Sequence, residues 1–122
     1  MIFSKLGGWL MALAVAMGAF GAHALKSKLD AYAMDVYRTA TLYHLIHALA
    51  LFIVAWLIGF TGDSRIETAG WLFVAGIVLF SGSLYLLAIT GQRMLGAITP
   101  FGGLCFITAW VLVALAKFRI GA

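Results

Sequence analysis

The sequence predicts an all-α membrane protein, a bundle of four transmembrane helices, and three observations carry that prediction. The 122 residues are 65% hydrophobic and only 10% charged, whereas a soluble domain carries about a quarter charged residues. The apolar residues gather into four runs, each near the roughly 20 residues a helix needs to cross a hydrocarbon core of about 30 Å. None of the runs contains Asp, Glu, Lys or Arg. A helix satisfies its own backbone in lipid, and a barrel would need alternating strands that the pattern lacks. A chain of this length is expected to form a single integral membrane domain, 1–122, with no room for an extramembrane catalytic domain.

The first run extends from about Leu6 to Leu25, between Lys5 and Lys26. Ala22-His23-Ala24 imitates the cleavage site of a signal peptide, but the run is long for a signal core. Its small residues have another use, since Ala14, Gly18 and Ala22 recur every four residues and let helix backbones approach closely. The segment 27–38 then carries Leu29, Tyr32, Ala33, Val36 and Tyr37 at helical spacing, with Ser27 and Asp30 placed as a capping box. This predicts a short interfacial amphipathic helix, with a plain polar loop as the alternative.

The second run covers about 39–60 and ends at the polar stretch Thr61-Gly62-Asp63-Ser64-Arg65. The third covers about 69–91. The fourth covers about 99–116 and is sealed by Lys117 and Arg119. Thr99 before Pro100 reads as an N-cap followed by proline at the first helical position, where its missing donor costs little. Short connections make consecutive spans antiparallel neighbours.

Eight Lys and Arg against four Asp and Glu give a net charge of +4. The cations sit singly at the ends of apolar runs, which reads as anchoring to membrane lipids and excludes a nucleic-acid patch. Four spans put both termini on one side. Lys5, Arg65, Lys117 and Arg119 then face Lys26, Lys28, Arg38 and Arg93, so the positive-inside bias gives no orientation and dual topology is compatible with the balance. Cys105 lies inside an apolar run as a lone thiol, with no disulfide partner in the chain.

Chemistry should be sought among polar groups held inside the spans, because they are expensive there. His23 lies near the end of the first run, and His44 and His47 lie three residues apart on one face of the second. Antiparallel packing brings the three to one half of the membrane, at depths differing by one or two turns. Such imidazoles can relay protons, ligate haem or hold a metal. Each has a bland counterpart, in which the ring bonds a backbone carbonyl or a neighbouring hydroxyl. No zinc-site spacing accompanies them, so no metal and no cofactor are expected, haem being the one minor alternative.

Ser81, Gly82, Ser83 and Tyr85 in the third run, with Thr99, Gly102 and Gly103 in the fourth, supply small surfaces and hydroxyls. They suit close helix packing, or alternatively the lining of a permeation path or lipid-shaped pocket. Ser83 has no nucleophile-elbow pattern around it, and Walker and dinucleotide patterns are absent, so no enzyme is predicted.

Gly18-Ala19-Phe20-Gly21-Ala22-His23, Tyr43-His44-Leu45-Ile46-His47-Ala48-Leu49-Ala50, Leu79-Phe80-Ser81-Gly82-Ser83-Leu84-Tyr85 and Thr99-Pro100-Phe101-Gly102-Gly103 supply one motif per span. Together they resemble the four motifs of a small membrane family catalogued as domain of unknown function 423, similar to the transmembrane protein 256 group. The resemblance implies a four-helix integral protein of the bacterial plasma (inner) membrane. It implies no activity and no role for any motif residue, and the position of His44 is associated with glutamine as readily as with histidine.

The functional expectation is a small transport or permeation unit, with His23 and His47 as polar or proton-responsive groups for an unknown solute or proton. A non-catalytic scaffold or lipid-binding subunit of a larger complex, self-associating through small-residue faces, is the alternative. A haem- or metal-binding membrane protein comes third.

Overall fold

The computed structural model describes residues 2–118. Four helices long and apolar enough to cross a membrane run Ile2–Leu25, Ala31–Ile58, Ser64–Thr90 and Arg93–Leu115. The second helix is the centre of the bundle, packed against the first along its length and against the third on another side, while the fourth packs against the third. Its buried residues Tyr37, Ala40, His44, His47, Leu51 and Val54 alternate three and four apart. That spacing keeps one seam facing its neighbours over five turns. Trp9, Leu49, Trp56, Phe101 and Ile107 point away from the bundle and are exposed, as a surface meeting lipid should be.

The segment 27–38 does not form a helix of its own. Residues 26–29 turn, Asp30 caps the second helix by accepting from the Ala33 N–H at 2.7 Å, and the helix then continues unbroken from Ala31 to Ile58. No Gly or Pro interrupts it near Arg38, and Thr39 and Thr41 hydroxyls donate to the Asp35 and Tyr37 carbonyls of the same helix. The periodicity noted at 27–38 is thus the first two turns of the second span, extended beyond the apolar run, and Asp30 rather than Ser27 caps it.

Two helices carry a π-helical turn, Gly21–Leu25 at the end of the first and Ile77–Gly82 within the third. The third ends at Gly91, whose φ of 72° is the left-handed conformation that favours glycine after a helix. The fourth opens with a 3₁₀ turn, Arg93–Ala97, before its α-helical part Thr99–Leu115.

Close approach governs the packing, as expected where lipid offers no hydrophobic drive between helices. Ala14 is fully buried, but Gly18 is only half-buried against Thr41 and Ala22 is exposed. The tight contacts of the first helix fall instead at Gly7, under Phe52, and at Gly21, under the Tyr37 ring. The stripe Ala14, Gly18 and Ala22 is therefore not the seam. A straight four-residue repeat drifts around the helix, whereas Gly7, Ala14 and Gly21 stay on one face at seven-residue spacing.

Loop and helix end are clasped at one end of the bundle. Asp63 accepts from the Arg65 N–H at 3.0 Å, capping the third helix, and from the Lys117 N–H at 3.0 Å beyond the fourth. Arg65 donates to the Leu115 carbonyl at 2.8 Å. The Arg65 and Lys117 N–H groups, with both nearby cations, hold the Asp63 carboxyl below its ordinary range. A depressed folded value means that this stabilisation is complete above the unfolded pKa of about 3.9 and is lost as pH falls through the folded value. Thermal melts from pH 7 to pH 3 should therefore show the clasp loosening only below about pH 4, with a shallower decline in Asp63→Asn. Equal acid declines in the two proteins would refute the clasp.

Candidate functional site

The polar side chains between the helices fall into three groups. Around His47 the hydrogen bonds fix one tautomer. A carbonyl only accepts, so Nδ1–H donates to the Tyr43 carbonyl at 2.7 Å, and Nε2 accepts from the Trp110 indole N–H at 3.1 Å. The ring stacks on Phe106 with centroids 3.6 Å apart and planes 8° from parallel. Both nitrogens of the neutral imidazole are engaged, and an iron or metal ion at Nε2 would have to displace Trp110.

His44, three residues earlier, is buried. Its Nδ1 lies 2.9 Å from the Tyr85 hydroxyl, which also reaches Thr41 Oγ1 at 3.4 Å. Nε2 faces the first helix near the Leu10 backbone, with no hydrogen bond of good geometry among the described residues. Tyr37 packs edge-on against Tyr85 at 5.2 Å, and its hydroxyl donates to the Met17 carbonyl. Tyr37 and Thr41 thus belong to a polar chain that ties the first, second and third helices together.

The third group joins the third and fourth helices. Ser83 Oγ donates to the Phe80 carbonyl at 3.0 Å, which leaves the Thr99 hydroxyl to donate to Ser83 across 2.6 Å. Thr99 is therefore not an N-cap. The helix is entered from a 3₁₀ turn with Ile98 at the cap, so Thr99 is already helical and its hydroxyl is free to bridge sideways. Ser81 is fully buried, with no hydrogen-bond partner for its hydroxyl among the described residues.

His23 stands apart. It is exposed, in the π-turn at the end of the first helix. Gly18 meets Thr41 and Gly21 meets Tyr37, so His23 lies beyond these contacts in one direction and His44 in the other. The offset is about 12 Å along the axis, roughly two turns. Among the described residues, no group of three or more His, Cys, Asp or Glu comes together to hold a metal ion.

The glycines divide as well. A Cβ at Gly102 would overlap the Phe80 backbone nitrogen and stand 2.7 Å from Phe80 Cβ, whereas at Gly103 it would meet only the Phe80 ring at 3.8 Å and at Gly82 only the Ile77 carbonyl at 3.9 Å. Gly70 and Gly76 receive the rings of Phe3 and Phe106. Sequence alone does not mark those two, Gly7 or the motif residue Gly21 as packing positions; the available signal is a small residue lying on the buried period of its helix.

Two open grooves flank these groups. One, about 510 Å³, is lined by Tyr43, His47, Phe80, Phe106 and Trp110 among others. The other, about 390 Å³, lies between the end of the first helix and the start of the second. Neither is lined by His23, His44, Ser81, Ser83, Tyr85 or Thr99.

Comparison with known proteins gives a consistent picture. The chain is 49% identical over 119 residues to the UPF0382 membrane protein YwdK of Bacillus subtilis, covering 97% of each chain. It is 44% identical over 119 residues to a UPF0382 membrane protein of Staphylococcus saprophyticus, covering 98% of each. A UPF0382 membrane protein of Staphylococcus aureus is 43% identical over 118 residues, 97% of this chain and 96% of the relative. No solved structure gives a significant match. The family model described as "Protein of unknown function (DUF423)" matches residues 17–103, which takes in the four motifs. With four apolar helices and relatives named as membrane proteins, this chain is a multi-pass membrane protein and belongs to the DUF423 family.

Proposed function

We propose that the protein acts through its lipid- and partner-facing surface, as a non-catalytic scaffold or lipid-binding subunit in the bacterial plasma membrane, rather than by passing a solute through its centre. The observation that carries this reading is that most interior polar groups are engaged within the bundle, while the two without a partner among the described residues, His44 Nε2 and the Ser81 hydroxyl, are buried and line neither groove. His47 has a partner on each nitrogen, Ser83 and Thr99 bond together, and Tyr37 bonds the Met17 backbone. A permeation path needs polar groups turned toward an opening, and the grooves described above are peripheral and mostly apolar. The same engagement of His47 favours a protein that works without haem or metal, and its purified form should show no Soret band.

The test is flux. Protein reconstituted in liposomes and challenged with a proton gradient or an osmotic step should leak no faster than empty vesicles, and His47→Gln should change nothing in that assay. A flux above background that His47→Gln abolishes would reinstate proton-coupled permeation and overturn the surface reading.

A further inference from the structure

We propose that the groove between the first and second helices binds one anionic phospholipid, with its phosphate between Lys26 and Arg38 and a hydrocarbon chain along Gly18, Leu42 and Leu45. Both cations line the groove. Their side chains are exposed and make no ion pair or hydrogen bond with any described residue. Asp35, one turn before Arg38, forms no pair with it.

The groove is polar at one end and apolar at the other. Leu45 lies seven residues beyond Arg38, about 10 Å deeper along the second helix. Lys26 directly follows the first helix, and Arg38 is the eighth residue of the second, where its apolar run begins. Head groups meet a spanning bundle over this stretch, and both side chains line the one groove. Between these ends the polar atoms are already engaged, since the Tyr37 hydroxyl donates to Met17 and the Thr41 hydroxyl to Tyr37. Recognition therefore falls to the two cations. Arg38 can hold a phosphate through two parallel N–H groups and Lys26 can add a point charge. A volume of about 390 Å³ lies within the range of small-ligand sites, about 300–1,000 Å³, and takes part of one lipid rather than a layer of them.

Lipid binding here rests on the surface reading above but fails separately from it, because flux and lipid selectivity are read in different assays. The whole protein in detergent is titrated with phosphatidylglycerol and, in parallel, phosphatidylcholine, and bound lipid is counted by native mass spectrometry. The expected result is one phosphatidylglycerol bound in preference to phosphatidylcholine. Lys26→Gln and Arg38→Gln should each lower that preference about fivefold, the effect of roughly one basic residue at an anionic surface. Lys28→Gln is the control, since Lys28 is exposed at the same end but does not line the groove. Unchanged melting temperatures establish that the variants fold. Gly18→Leu should lower occupancy by both lipids by filling the groove. Equal losses from Lys28→Gln and Lys26→Gln, or no preference in the wild type, would mean annular lipid only and would overturn the site.

Discussion

Gly102→Ala should unfold or loosen the bundle more than any other single methyl addition among the motif glycines. The added Cβ meets backbone, the Phe80 nitrogen and the Leu79 carbonyl carbon at 2.8 Å, and backbone in the middle of a helix cannot rotate away as a side chain does. The third and fourth helices must separate, which stretches the 2.6 Å Ser83–Thr99 hydrogen bond beside them. Overpacking of a dense interface costs about 1–3 kcal/mol, and loss of the partly buried hydroxyl pair adds roughly 1 kcal/mol. Gly103→Ala and Gly82→Ala are the controls. Each finds ordinary contact distances, and alanine is the better helix former by about 1 kcal/mol, so both should melt within a few degrees of the wild type. Tryptophan-fluorescence melts in detergent make the comparison, and equal melting temperatures for Gly102→Ala and Gly103→Ala would refute the close approach.

The legible part of this structure is the part set by long-range averages. Four uncharged apolar runs, polar punctuation at 61–65 and lone cations at run ends suffice to predict four spanning helices, because backbone satisfaction in lipid leaves so few alternatives. Spacing alone puts His44 and His47 on one face, and that face is the buried seam of the second helix. Local exceptions were less legible. The helical spacing of Leu29 to Tyr37 is the same whether those turns lie in the interface or continue the second span, and only the absence of a breaker at Arg38 separates the two. Thr99 has the composition of a cap, but the preceding 3₁₀ turn shifts it into the helix. Which glycines are tight depends on the ring opposite each one, Tyr37 over Gly21 or Phe106 over Gly76, and a single sequence does not pair those residues. Asp63 could have been read as a cap from its place before Ser64-Arg65-Ile66-Glu67, yet its second bond reaches Lys117, 54 residues away.

His47→Leu is expected to be the most damaging side-chain replacement in the polar interior, and its pattern with two companions separates a structural histidine from a proton carrier. Leucine matches the volume approximately but leaves the Trp110 indole N–H without an acceptor in a largely apolar groove, at a cost of about 1–3 kcal/mol. It also forfeits the face-to-face contact with Phe106, worth roughly another 1 kcal/mol. His47→Gln restores a donor and an acceptor but not the stacked ring, so its loss should be smaller, about 1 kcal/mol. Trp110→Phe removes the donor from the other side. If the indole N–H to Nε2 bond accounts for the effect, the double variant His47→Leu with Trp110→Phe should be less destabilised than the sum of its parts, by about 1 kcal/mol or more. Denaturant or thermal melts of the four proteins supply the cycle. Strict additivity would dissociate His47 from Trp110. A protein whose stability ignores His47→Leu but whose flux does not would return the histidine to a proton-carrying role.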